Sequence, residues 1–103
     1  MGRLTAFQYE VLAGLATTGE IHGLGLKSHL QDRFGYDNIN HGRLYPNLDT
    51  LVEYGYIQKG TQDRRTNTYA LTDDGHDCLC ERGAAILTEA LEERNTKPDE
   101  AKQ

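Results

Sequence analysis

The sequence predicts a small, mainly helical α+β domain: three short helices, a β-hairpin and a longer final helix. Three observations carry this expectation. Apolar residues recur at helical spacing in four separate stretches. Between the third and the fourth lie two runs rich in Tyr, Ile and Thr, flanking the polar tip Gln62-Asp63-Arg64-Arg65. The chain has 103 residues. That length is one domain with little left over, able to bury roughly two-thirds of its unfolded surface.

Thr5-Ala6-Phe7-Gln8 has the form of a capping box. Phe7, Val11, Leu12, Leu15 and Ala16 follow at helical spacing and predict a first helix from about Ala6 to Ala16, ended by Thr17-Thr18-Gly19. Glu20-Ile21 reads as one short isolated strand. Leu26, Leu30 and Phe34 repeat every four residues and predict a second helix over His22–Phe34, stopped at Gly35. Asn40 is a good N-cap for a third helix, in which Leu44, Leu48 and Leu51 recur until Tyr54-Gly55. Pro46 lies inside that helix, and its missing N–H predicts a kink or a tight first turn. The hairpin spans Tyr56–Thr61 and Thr66–Leu71, with Ile57, Tyr69 and Leu71 toward the core. Thr72-Asp73-Asp74 then starts the fourth helix with a capping Thr and two acids suited to the helix dipole. Leu79, Ile86, Ala90 and Leu91 mark its apolar side out to about Glu93. Asn95–Gln103 contains Pro98 and no large apolar residue, which reads as a disordered tail.

Composition narrows the function classes. Hydrophobic residues make up 37% and charged residues 26%, a folded, soluble composition with no apolar run long enough to span a membrane. With no secretory signal either, a cytoplasmic location is expected. Cys78 and Cys80 do not make a disulfide framework, and no standard four-ligand zinc spacing exists. There is one serine, Ser28, no positioned His–acid pair and no phosphate-cradling glycine loop, so an enzyme is not expected, nor a cofactor. The formal net charge of −5 weighs against a nucleic-acid partner. Yet residues 1–72 carry seven basic and seven acidic side chains, and the whole excess sits in residues 73–103.

Three helices, a hairpin and a long helix, in that order, are the elements of a winged helix-turn-helix. In that architecture the helix after the turn enters the major groove and the hairpin flanks it as a wing. This divides the chain into a DNA-binding unit over 1–72, a C-terminal dimerisation helix over 73–94 and the tail at 95–103. Particular residues sharpen the reading. They are His22-Gly23, then Gly42-Arg43-Leu44-Tyr45-Pro46-Asn47-Leu48, then Gly55, and finally Tyr69-Ala70-Leu71-Thr72-Asp73-Asp74-Gly75. Over roughly residues 5–92 the sequence resembles the PadR family of transcriptional regulators on these motifs. The resemblance implies a homodimeric DNA-binding repressor whose C-terminal helix serves dimerisation, with double-stranded DNA, as a palindromic operator, for a partner. Asn40-His41 stands where the family usually has Ser-Pro, and one helix stands where larger members carry a multi-helix domain. The acidic balance and the four Lys against seven Arg resemble haloarchaeal proteins.

On the third helix, Arg43, Asn47 and Thr50 are placed opposite Leu44, Leu48 and Leu51. Arg can read guanine and Asn adenine through paired edge contacts; the same residues also suit a merely solvated face. Asn40 and His41 sit at the helix N-terminus, which favours phosphate. Tyr45 can donate to a phosphate or pack its ring on the second helix. Arg64 and Arg65 at the wing tip can reach a phosphate or a minor groove, with Lys27, His29 and Lys59 as further backbone contacts. Leu79, Ile86, Ala90 and Leu91 are the expected dimer contacts. His22 is expected to cap its local turn. His76 and Cys80 have a metal-compatible spacing that equally fits a dimer seam. Cys78 reads as a small buried hydrophobe, with redox cross-linking of Cys78 or Cys80 the sharper alternative. The competing function is a winged-helix module that binds only protein.

Overall fold

The computed structural model describes residues 3–95. Seven elements follow in chain order: α1 (Ala6–Thr18), β1 (Ile21–His22), α2 (Gly23–Phe34), α3 (His41–Glu53), β2 (Ile57–Thr61), β3 (Asn67–Leu71) and α4 (Asp73–Asn95). This is the expected winged helix-turn-helix with a long last helix. Of the tail expected at 95–103, all beyond Asn95 lies outside the described residues. Among the described residues, no helix is long and apolar enough to cross a membrane.

Each helix start follows its capping chemistry. The capping box closes on α1: Gln8 N–H donates to Thr5 Oγ1 at 3.1 Å, and Thr5 N–H to Gln8 Oε1 at 2.9 Å. α1 runs two residues further than its apolar pattern, to Thr18, and Ala16 is exposed. α2 starts at Gly23 rather than His22. His22 is its N-cap by backbone only, and its side chain makes no cap hydrogen bond. Asn40 caps α3 by accepting from Gly42 N–H. α3 then runs through Pro46 as one helix, preceded by a tight first turn in which the Asn40 carbonyl accepts from Arg43 N–H at 2.9 Å as well as from Leu44 N–H at 3.0 Å. A proline donates nothing to the carbonyl four residues back, which here belongs to the exposed Gly42. Water can satisfy that carbonyl, so the helix need not break.

The sheet differs from expectation in one respect. The short first strand is not isolated: it is Ile21–His22, and it pairs with β3. The order is β1-β3-β2, all antiparallel. Register in the hairpin runs from Ile57 opposite Leu71 to Thr61 opposite Asn67.

One core joins all the helices and the sheet. Val11, Leu12, Leu26, Leu30, Leu44, Leu48 and Leu51 are each fully buried, with Phe7, Leu15, Ile39, Ile57 and Tyr69 nearly so. Leu71 packs against this core only in part, and Phe34 at 37% exposure does not belong to it. α4 joins the core through its first two turns alone, where Cys78 and Leu79 pack on it. The Arg82 guanidinium lies over the Tyr9 ring at 5.6 Å and ties α4 to α1. Beyond that point Ile86, Leu87 and Leu91 are 49%, 60% and 53% exposed. Of the residues expected as dimer contacts, Leu79 is half-buried against its own core, while Ile86, Ala90 and Leu91 are exposed, and Leu87 lies among them in the same uncovered stripe.

Candidate nucleic-acid interface

Between the first turn of α2, α3 and the tip of the wing lies a groove of about 230 Å³. It is lined by His22, Gly23, Leu24, Tyr45, Arg65, Thr66 and Asn67. Tyr45 defines its inner wall and also explains two of the sequence motifs. A Cβ on Gly23 would collide with the Tyr45 hydroxyl and lie 2.9 Å from its ring, so a glycine opening α2 is what lets the ring in. The His41 ring stands edge-on to Tyr45, with centroids 5.5 Å apart and planes at 85°. The Tyr45 ring thus packs on the start of α2 and at the same time lines the groove.

The wing tip is built by one carboxylate. Asp63 Oδ1 accepts from the backbone N–H of Arg65 at 2.9 Å and of Thr66 at 3.0 Å. Those donors, Arg65 N–H above all, hold the Asp63 carboxyl below the usual carboxylate range. Gln62 N–H closes the loop on the Thr66 carbonyl at 2.9 Å. The turn leaves Arg64 and Arg65 exposed, Arg65 against the groove. Lys59 is exposed on β2 opposite the buried Tyr69, hence on the same face of the sheet. Lys27 is half-buried on α2.

The other side of α3 departs from the sequence reading. Arg43, Asn47 and Thr50 do not form a free face opposite the leucines. The outermost ridge is Gly42, Pro46, Asp49 and Glu53, all exposed. Thr50 is half-buried, and its hydroxyl donates to the Pro46 carbonyl at 3.0 Å. Asn47 is turned toward α1: its Oδ1 accepts from Gln8 Nε2 at 3.0 Å, and its Nδ2 donates to the Arg43 carbonyl at 2.7 Å. Gln8 is itself nearly buried, with its oxygen in the capping box and its nitrogen on Asn47. A pairing across 39 residues leaves no local trace in sequence. The Arg43 guanidinium lies over the Phe7 ring at 4.1 Å and near the Tyr36 ring at 5.4 Å. Phe7 and Tyr36 were assigned no part in the site by sequence, nor were Gln8, Leu24, Thr66 and Asn67.

His76 and Cys80 lie side by side on α4, with the sulfur 3.7 Å from Nδ1. Among the described residues no group of three potential ligands is assembled. Cys80 is exposed and Cys78 half-buried.

The transcriptional regulator PadR-like family matches residues 11–81. A structure of H. salinarum RosR is 37% identical, with a TM-score of 0.77, and the match covers 97% of this chain and 96% of that one. B. subtilis PadR in complex with operator DNA is 27% identical with a TM-score of 0.65, over 75% of this chain and 47% of that one. An E. coli MarR mutant complexed with operator DNA is 27% identical with a TM-score of 0.69, over 92% of this chain and 64% of that one. No curated protein matches the sequence.

Proposed function

We propose that this chain, which belongs to the PadR-like family of transcriptional regulators, binds double-stranded DNA in a sequence-specific way as a homodimer and represses transcription. The observation that carries the reading is the groove between α3 and the wing, with Tyr45 on one wall and Arg65 on the other. A winged helix-turn-helix presents its recognition helix and wing to DNA on this side. The operator complexes of the B. subtilis and E. coli relatives support the same use of the fold. Asn40 at the cap of α3 and His41, Arg43 and Tyr45 in its first part, Arg65 on the groove with Arg64 next to it in the wing tip, Lys59 on β2 and Lys27 on α2 form the proposed contact set. Asn47 and Thr50 support α3 through the hydrogen bonds described above. The exposed stripe of α4 is the proposed dimer contact, and two-fold symmetry implies a palindromic operator.

Selection of bound duplexes from a randomised pool tests this reading. Enrichment of a palindromic sequence is expected; a pool that stays random would overturn it. Within such binding, the double variant Arg64→Ala with Arg65→Ala should weaken association with every duplex alike. It should also reduce the slope of log affinity against log salt by up to about two per subunit. Equal affinity and slope in that variant would remove the wing tip from the contact set.

The whole-protein salt response follows from the charge distribution. Phosphate contacts release counterions, so affinity ordinarily falls steeply as salt rises. Here the contact set holds few cations, while the acid excess of residues 73–103 repels DNA at low ionic strength. A shallow slope is expected, with affinity rising over part of the range. Titrations from low to molar salt measure it, and a slope as steep as six or more phosphate contacts would produce contradicts it.

A further inference from the structure

The geometry points to Arg43 as the side chain that reads a guanine, held in its reading position by a cradle made of Phe7, Tyr36 and Glu10. This rests on the DNA-binding reading above and adds to it a base, a reader and the residues that position the reader.

Arg43 is exposed in the first turn of α3 and is the sole Arg or Lys of that helix. Its charge is carried on a planar group that lies over the Phe7 ring at 4.1 Å, with the Tyr36 ring 5.4 Å away. The two rings stand perpendicular, at 85° with centroids 6.0 Å apart. Phe7 is fixed in the core at 5% exposure. Tyr36 is fixed differently: its hydroxyl donates to Glu10 Oε1 at 2.5 Å. That carboxylate pushes the Tyr36 phenol up from its ordinary value. The cradle thus draws on α1, the loop before α3 and α3 itself.

Stacking occupies a face of the guanidinium and the Tyr36 hydroxyl takes up one of its N–H donors, but a guanidinium carries five such donors in a planar fork, so a pair along one edge remains for a base. A guanine offers two acceptors in the major groove, O6 and N7, at a spacing that this edge matches. A flexible arginine would lose its rotamer freedom on binding; one already held against rings has lost much of it beforehand. Asn47, the other candidate base reader on this flank, has both ends of its amide engaged by Gln8 and by the Arg43 carbonyl. It therefore anchors the turn that carries Arg43 and does not itself face a base.

The test uses the full chain and a duplex that the wild-type protein selects from a random pool. Each guanine of that duplex is replaced in turn by 7-deazaguanine, which lacks the N7 acceptor. A random duplex of equal length reports unspecific affinity, and thermal unfolding reports folding. At one guanine per half-site the replacement should cost the wild type about tenfold in affinity. Arg43→Lys should abolish that difference while changing affinity for the random duplex by no more than about twofold, since the charge is kept. Tyr36→Leu should shrink the difference at least about threefold with the salt slope unchanged, and Tyr36→Phe, which keeps the ring but loses the hydrogen bond to Glu10, should fall between Tyr36→Leu and the wild type. Discrimination that survives Arg43→Lys, or that is untouched by Tyr36→Leu, overturns the inference. So does a selected site with no guanine sensitive to the replacement, and that result leaves the DNA-binding reading standing. A pool with no enriched duplex removes both.

Discussion

Replacing Gly75 by alanine should lower the melting temperature by roughly 10–20 °C, the equivalent of about 3 kcal/mol for a domain of this size. Gly75 is buried in the first turn of α4, and a Cβ there would collide with the Tyr56 carbonyl oxygen and lie 2.9 Å from Leu71 Cδ1. The Tyr56 carbonyl cannot move aside, because it accepts the Thr72 N–H at 3.1 Å. Thr72 adds two further ties: its hydroxyl donates to the Gly55 carbonyl at 2.6 Å and accepts from Gly75 N–H at 3.0 Å. The end of α3, the end of the wing and the start of α4 thus meet at one backbone junction that has no room for a methyl group. Thermal unfolding by circular dichroism checks this, with Gly83→Ala as the internal control. Gly83 also lies in α4, but a Cβ there would meet nothing within 4 Å, so that change should be neutral or slightly stabilising through helix propensity. A Gly75→Ala protein as stable as the parent would mean that the junction is looser than the structure has it.

Aspartate at Leu87 or Leu91 should convert the proposed dimer into a folded monomer and reduce affinity for a full palindromic site by about a hundredfold or more. The stripe of Ile86, Leu87 and Leu91 is about half exposed, whereas monomeric proteins seldom leave a large contiguous apolar patch uncovered. None of the three packs on the core of its own domain, so the substitutions should leave the melting of an isolated domain nearly unchanged. Sedimentation at micromolar concentration separates the cases. Loss of palindrome binding with retained weak binding to one half-site is the expected pattern. A wild-type protein that sediments as a monomer, or an aspartate variant that stays dimeric, contradicts the assignment of this face. Leu79→Asp should behave differently and destabilise the fold, since Leu79 packs against the core.

The elements themselves were legible in the sequence because they are written in local chemistry. The capping box at Thr5 and Gln8, the N-cap at Asn40 and the i, i+4, i+7 leucines of α3 each act within about two turns of chain. Period and capping therefore placed the helices to within two residues of their observed ends. The hairpin was equally local; the third strand of the sheet was not. Ile21–His22 has too few residues to show alternation, and it becomes a strand only because β3 passes beside it.

What the tertiary structure alone decided is which side chains remain free to act. On helical spacing Arg43, Asn47 and Thr50 appeared to share an open face. That estimate assumes that whatever lies away from the buried leucines meets water. α1 and the loop before α3 fill part of that space, so Asn47 goes to Gln8 and Arg43 to the Phe7 and Tyr36 rings. Leu79 shares the apolar side of α4 with Ile86 and Leu91 by spacing, and only packing shows that it also rests in part on the core. The motif glycines show the same division. Their positions in Gly23 and Gly75 were plain in the sequence, but their reason was not, because the atoms that exclude a Cβ, the Tyr45 hydroxyl and the Tyr56 carbonyl, stand 22 and 19 residues away along the chain. Periodicity reports which residues leave water; only packing across the chain determines which partner each of them meets.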